Sequence, residues 1–476
     1  MKVPHSCKRD DWKDFPSVQK ERYLLNKKIA IVGYTARSLN FVAKCAGLNT
    51  FVIDCFADMD LRRLADEFSQ VDLDAIRDEK GELQHTAAYY LYQSILTNRE
   101  RIENCDYLIL GSSFENDFEI WERITKFKNY KGNLPKFAQN VRNPNLLFPY
   151  LMKNSIRFPK TIIFKIIQDE FHYTIHNPKG EVKDSPFTVK VNANEFLRIV
   201  AKCMNYPFVL KSANSGGGLG IYLIQNPGDF TNSLEILIKI RSPPYIIQEF
   251  INGIPMSCSF FANGNKVKIH TISQQIIGEH RFGCKGNFTY CGNIMNKTIS
   301  DPNHPKNALI TAELMNLALK LTQLAQLKGS NGIDFVLQNT NEDVRIYFIE
   351  LNPRFQGTID LVLACTGENL IQHHLKSIDQ NILPNDAYLS DDKTYLRAIY
   401  YSPLDFHIMV DLQGLEFRDV PLIGSFIPNG APLCSNIVKG NNVYDAFEKA
   451  MDDRDLMLRV LGLKNRIADT ELIRTR

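Results

Sequence analysis

Three side chains have the types and spacing to hold a hard cation. Asp334, Glu350 and Asn352, with Arg354 two residues beyond, lie in GIDFVLQNTNEDVRIYFIELNPRFQGT (Gly332–Thr358). Residues two apart on a strand share a face, so Glu350 and Asn352 lie side by side, and an even register across a hairpin adds Asp334. Two carboxylates and an amide oxygen suit Mg²⁺, which takes carboxylates supplemented by phosphate oxygens and water. A complementary set lies upstream in YPFVLKSANSGGGLGIYLIQ, where a strand delivers Lys211 and Ser215-Gly216-Gly217-Gly218-Leu219-Gly220 leads into a second strand. Glycine admits close approach, so backbone N–H groups can point at phosphate oxygens, and the lysine adds a point charge. The pattern is not GxxxxGK[ST], and HRD and DFG are absent, which excludes a Walker A loop and a protein kinase.

Several elements must position these groups. Ile333, Phe335 and Leu337 alternate with Asp334 and Val336, a strand pattern, and Asn339–Asp343 reads as the hairpin connection to the run ending at Asn352. YIIQEFI reads as a strand entering a hinge beyond Gln248, and SCSFFA and KVKIHTI as a hairpin around Asn263-Gly264-Asn265. NALITAELMNLALKLTQLAQLK predicts an amphipathic helix with Leu309, Ala312, Leu317, Leu321 and Leu324 on one stripe. LVLACTGENLIQHHLKS reads as another helix, on which the adjacent His373 and His374 point to different faces and make a poor chelate. IIFKIIQ and FHYTIH read as a hairpin; the spacing of His172 and His176 is ordinary on a strand, with no third ligand in view.

Upstream, KKIAIVGYTARSLNFVAKCAGLNTFVIDCFADMD reads as strand, turn, helix and strand, the βαβ unit of a parallel sheet. Its turn, Gly33-Tyr34-Thr35-Ala36-Arg37, lacks GxGxxG, which argues against NAD or FAD. Ligands of open α/β sheets sit in loops after strands, so Arg37, Asp54, Ser112 and Glu115 are candidate substrate contacts, with turn and capping roles as the alternative. Leu61–Glu103 reads as helical and charged, and residues 130–161 as a proline-punctuated connection around a short helix.

A chain of 476 residues suggests roughly three domains. Its 44% hydrophobic and 23% charged content is that of a folded protein. The charge of +3, from 56 basic and 53 acidic residues, gives no nucleic-acid footprint, so small-molecule partners are expected; a homodimer is left open. No apolar run reaches a membrane span, and MKVPHSCKRDDWKDF is too charged for a secretory signal. Ten scattered cysteines without CxxC read as reduced thiols of a cytoplasmic protein.

The order of lysine strand with GGGLG loop, QEFI hinge, Asp334 and ELNPR resembles the ATP-grasp superfamily. KSANSGGGLGIYLI is similar to the matching segment of biotin carboxylase. GYTAR, FADMD, GSSFEN, FTYCGNI and VPLIGSFIPNGAPLCSNIVKG resemble segments of an uncharacterised ATP-grasp group common in archaea and methylotrophs. The resemblance implies an α/β fold: an extension over 1–26, a Rossmann-like pre-ATP-grasp domain over 27–140, a two-part ATP-grasp domain over 141–390 with a lid at about 205–255, and a small β-rich unit over 391–476. It implies ATP with Mg²⁺, or Mn²⁺ in its place. Lys211 would bind phosphates under a lid of Gly216, Gly217, Gly218 and Gly220, and Gln248, Glu249 and Ile251 would hold adenine. Asp334, Glu350 and Asn352 would hold the metal, Arg354 would contact the transferred phosphate, and Gln275 would face substrate. Pro255 stands where many members carry a ribose-binding glutamate, and Arg142 is the nearest counterpart of a common lysine. The implied chemistry joins a carboxylate to an amine through an acyl phosphate. The alternatives are a carboxylase or other non-amine acceptor, and a catalytically silent ATP-binding module.

Overall fold

Apolar runs such as IAIV and FVI are buried on both faces in a four-stranded parallel sheet, as such runs are in parallel sheets. The computed structural model describes residues 22–78, 81, 83–178, 189–213, 217–218, 220–240, 243–339, 344–412 and 415–464. This first sheet contains β1 (Lys28–Gly33), β2 (Asn49–Asp54), β3 (Glu67–Gln70) and β4 (Tyr107–Leu110) in the order β3-β2-β1-β4. Its helices are α1 (Arg37–Cys45), α2 (Met59–Leu64), α3 (Ala87–Thr97), α4 (Arg99–Glu103) and α5 (Phe118–Ile124). The expectation of an unbroken helical region over Leu61–Glu103 is corrected by β3. Its sequence EFSQ makes a half-exposed edge strand, which needs no apolar run.

Two helices follow where one was expected, α6 (Pro135–Arg142) and α7 (Pro144–Lys153). Each opens on a proline, whose missing N–H costs nothing at a helix start. A boundary at 140–141 would cut α6. Next come β5 (Thr161–Ile167), β6 (Glu170–His176), β7 (Val189–Val191), α8 (Ala193–Cys203), β8 (Phe208–Ser212), β9 (Ile221–Ile224), α9 (Pro227–Ile240) and β10 (Tyr245–Glu249). These strands form one sheet ordered β7-β6-β5-β10-β8-β9, so the lid range of 205–255 takes in only part of it.

The chain then crosses into a seven-stranded sheet. It contains β11 (Ile254–Asn263), β12 (Val267–Ile277), β13 (Tyr290–Met295), β14 (Lys328–Asn339), β15 (Val344–Asn352), β16 (Thr394–Tyr401) and, after a two-residue pair β17 (Phe406–His407) and β18 (Phe426–Ile427), β19 (Pro432–Gly440). The order is β15-β14-β11-β12-β13-β16-β19, so the segment after 391 extends the sheet of the β14–β15 hairpin and supplies two of its strands. The helices are α10 (Lys297–Ser300), α11 (Ala308–Ala325), α12 (Ile359–Thr366), α13 (Leu370–Asp379) and α14 (Val443–Val460). In α11 the buried stripe is Ile310, Leu314, Leu317, Ala318 and Leu321, whereas Leu309, expected in it, is 71% exposed. The single helix expected at LVLACTGENLIQHHLKS breaks in two: Gly367 ends α12 at φ +73°, and the Asn369 side chain caps α13.

One face of β11, β12, β14 and β15 packs on α11 through Cys258, Phe260, Ile269, Ile333, Phe335 and Phe348. None of the nine described cysteines is in a disulfide, and eight are buried. No helix among the described residues is long and apolar enough to cross a membrane.

Candidate active site

A bulge decides which way the carboxylates of the hairpin face. Asp334 pairs with Glu350 and Gly332 with Asn352, but Phe335 pairs with Phe348, so Ile349 is an extra residue. Before it Ile346 and Phe348 face the core; after it Leu351 does. Without that residue Glu350 and Asn352 would share the core side of Ile346 and Phe348, because a one-residue slip flips every side chain. With it, Ser273, Ser257, Asp334 and Glu350 form one cross-strand row over β12, β11, β14 and β15.

Asp334 accepts hydrogen bonds from Gln275 Nε2 (3.1 Å) and Asn352 Nδ2 (3.0 Å). Burial, aided by the neighbouring Glu350 charge, pushes its carboxyl up to about 6. Glu350 is paired with Arg142, from the end of α6, whose other amine meets Asn116 Oδ1 at 2.8 Å. Hard oxygen donors crowded until one carboxyl resists ionising are what a divalent cation relieves, so Asp334, Glu350 and Asn352 fit Mg²⁺.

The phosphate-binding candidates come from the other sheet. Lys211 on β8 lies within electrostatic range of Glu350 and Arg142; burial holds its pKa below the usual lysine value, against the opposing pull of Glu350. Gly217, Gly218 and Gly220 all have left-handed φ, between +63° and +80°. The carbonyl of Gly217 accepts from Tyr290 N (3.3 Å), and a Cβ on Gly218 would lie 1.8 Å from Phe288 O. Gly217 and Gly218 thus rest on the connection before β13. Gly216 lies outside the described residues.

At the hinge, the side chain of Gln248 turns into its sheet and donates to Thr161 Oγ1 (3.1 Å), while its backbone pairs on both sides. Glu249 is exposed at the end of β10, its carboxylate accepting from Lys160 N (3.2 Å). Ile251 follows, outside any strand, in the crossing between the two sheets.

Arg354 and Glu115 meet at 2.5 Å (Nε to Oε1), joining the loop after β4 to the segment after β15. Arg354 also donates to Asn352 Oδ1 (3.3 Å). Burial opposes ionisation of Glu115, but Arg354 holds its pKa below the usual carboxylate value. Two other candidates from the first sheet are not brought to the cleft. Arg37, expected at a substrate loop, is 1% exposed and bonded to Asp419 (2.8 and 3.1 Å) and Asp360 (3.0 Å), with Asp60 at 3.4 Å. Asp54 is fully buried and caps the backbone N–H groups of Ala36, Phe56 and Ala57. Ser112 accepts from Tyr34 N through its carbonyl (3.1 Å). Arg142, named from the sequence only as the nearest counterpart of a common lysine, meets Glu350 here, and Ser257, which the sequence reading did not single out, was signalled by its alternation with Cys258 and Phe260.

A family model described as an ATP-grasp domain matches residues 174–358. An uncharacterised protein of Methanocaldococcus jannaschii is 26% identical over 366 residues, 74% of this chain and 76% of that protein. The D-alanine–D-alanine ligase of Prochlorococcus marinus is 24% identical over 289 residues, 59% of this chain and 76% of the ligase. A biotin carboxylase–β,γ-ATP complex from Campylobacter jejuni shares the fold with a TM-score of 0.64 at 14% identity, over 94% of this chain and 98% of that one. Residues 174–358 thus match an ATP-grasp domain, and the chain as a whole shares its fold with that biotin carboxylase.

Proposed function

We propose that the protein is an ATP- and Mg²⁺-dependent ligase that joins a carboxylate to an amine and releases ADP and phosphate. The observation that carries this reading is that Lys211, from the six-stranded sheet, lies within electrostatic range of the Glu350–Arg142 pair beside the Asp334–Asn352 row of the seven-stranded sheet. Phosphoryl transfer depends on positioning and charge neutralisation, and these two halves offer both. Lys211 and the N–H groups of the glycine lid hold the phosphates, and the backbone beyond Gln248 and Glu249 meets the adenine at Ile251. Asp334, Glu350 and Asn352 hold Mg²⁺, which when bound neutralises phosphate charge. Arg354, oriented by Glu115, faces the phosphate in transfer, and Gln275 faces the substrate. A carboxylate oxygen bonds to the γ-phosphorus as the bond to ADP breaks. The amine then bonds to the acyl carbon, loses a proton and expels phosphate.

The test is incubation with ATP, Mg²⁺ and pools of carboxylates and amines, reading ADP, phosphate and product mass. Substrate-dependent ADP release with a condensed product supports the ligase. A carboxylated product reassigns the acceptor, and ATP binding with silence across a wide pool overturns turnover altogether.

A further inference from the structure

A second cluster of ligating groups lies outside the site described above. His270, Glu368 and His373 each offer a ligand atom, and the three atoms lie within 4.8 Å of one another. The fold builds this cluster with another bulge. Ser259 pairs with Thr271 and Phe260 with Ile269, so His270 is the extra residue of β12. Bulges take a side chain out of the strand's alternation and re-aim it. Here the imidazole stands beside the rings of Phe261 (5.5 Å) and His373 (5.8 Å), under α13. His270 is 1% exposed, and neither ring nitrogen has a hydrogen-bond partner. A neutral imidazole has one donor and one acceptor to satisfy, and leaving both buried and unmet is costly. His373 and Glu368 already face each other, Nε2 to Oε2 at 2.6 Å.

We propose that His270, Glu368 and His373 form a Zn²⁺ site that pins α13 and the turn before it to β12. Two imidazoles and a carboxylate are a donor set Zn²⁺ takes, with bonds of about 2.0–2.2 Å that set tetrahedral ligand atoms about 3.4 Å apart. From separations of 2.6 Å to at most 4.8 Å, that geometry needs shifts on the order of 1 Å. Mg²⁺ belongs instead on the all-oxygen set of Asp334, Glu350 and Asn352, since imidazole favours the later transition metals. The two sites stand apart on the sheet: His270 is three residues, about 10 Å, along β12 from the Ser273 row. Three protein ligands leave a fourth position for water, and Glu368, whose side chain is 40% exposed, opens it to solvent. The helix so pinned also buttresses the metal hairpin, because His374 Nδ1 accepts from Ser330 N (2.9 Å) at the start of β14. The adjacent histidines therefore do not chelate together; each serves a different strand.

The test uses full-length protein stripped with EDTA, then titrated with Zn²⁺ in excess Mg²⁺ and, separately, with Co²⁺. One tightly held equivalent of Zn²⁺ and a visible Co²⁺ spectrum with imidazole ligation are expected. His270→Gln and His373→Gln should each weaken Zn²⁺ binding on the order of 100-fold, whereas Glu350→Gln should leave it unchanged. Far-UV circular dichroism verifies that each variant is folded; should His270→Gln fail, His373→Gln, at a side chain less deeply buried than His270, and the wild-type Co²⁺ spectrum decide. No stoichiometric Zn²⁺ in the wild type, or affinity retained when the histidines are replaced, overturns the proposal.

Discussion

Replacing Asp334 by asparagine should make the metal-free protein more stable while removing its response to Mg²⁺. The carboxyl titrates at about 6 in the folded chain, chiefly because it is buried and also because Glu350 is near. An unfolded aspartate titrates near ~3.9, so at pH 7.5 the ionised group costs roughly 3 kcal/mol relative to the unfolded chain. Asparagine keeps one acceptor oxygen for either Gln275 or Asn352 and loses the other bond, a loss of about 1 kcal/mol. The net gain is on the order of 2 kcal/mol. The sign with pH is fixed by the raised value: the folded state holds a proton that the unfolded chain gives up between about pH 4 and 6. The wild type therefore loses stability as pH rises through that window and stays level above it. Urea denaturation in EDTA at pH 7.5 and pH 5, following the transition of the seven-stranded sheet, should show the variant ahead at pH 7.5 and its lead shrinking at pH 5. Added Mg²⁺ should raise the wild-type midpoint alone, by mass action. A variant less stable than wild type at pH 7.5, or a lead that does not change with pH, would refute the crowded-carboxylate reasoning.

Other perturbations separate structure from binding. Arg37→Met removes the buried cation that Asp60, Asp360 and Asp419 share, leaving Arg397 and Arg418 against the latter two, and should cost about 3–5 kcal/mol, read by thermal denaturation; an altered KM with unchanged stability would return Arg37 to the substrate loop. Gly218→Ala puts a Cβ against Phe288 O in a left-handed backbone, so the lid should seat poorly and KM for ATP rise about tenfold or more without loss of the global fold. Glu115→Gln unpairs Arg354 and should destabilise the contact between the first sheet and the hairpin by roughly 2–4 kcal/mol, measurable in the same denaturation series.

Much of the hairpin was legible because period-two alternation is local: Ile333, Phe335 and Leu337 lie inward as expected. The facing of Glu350 and Asn352 was legible only as a pair. That the pair faces the site depends on Ile349, an insertion in the pairing that no propensity marks. The lysine strand and its glycine loop were readable from composition, whereas the partners that settle Arg142 and Arg37 lie 208 to 382 residues away in sequence. Such pairings are set by tertiary packing, not by local preference. β3 escaped notice because an edge strand can be polar, and Gly367 because one glycine inside an apolar helical pattern can be tolerated or can end it. His270 shows the same blindness: its ligating neighbours are about a hundred residues distant, and a bulge turns it toward them.

The central claim is that Lys211 and the Asp334–Glu350–Asn352 row are two halves of one ATP site. Calorimetric titration of ATP with and without Mg²⁺, in the wild type, Lys211→Met and Glu350→Gln, tests it most directly. The account predicts Mg²⁺-enhanced binding in the wild type, loss of the Mg²⁺ enhancement alone in Glu350→Gln, and weakened binding under both conditions in Lys211→Met. A wild type that binds no ATP, or variants that bind it as the wild type does, would contradict it.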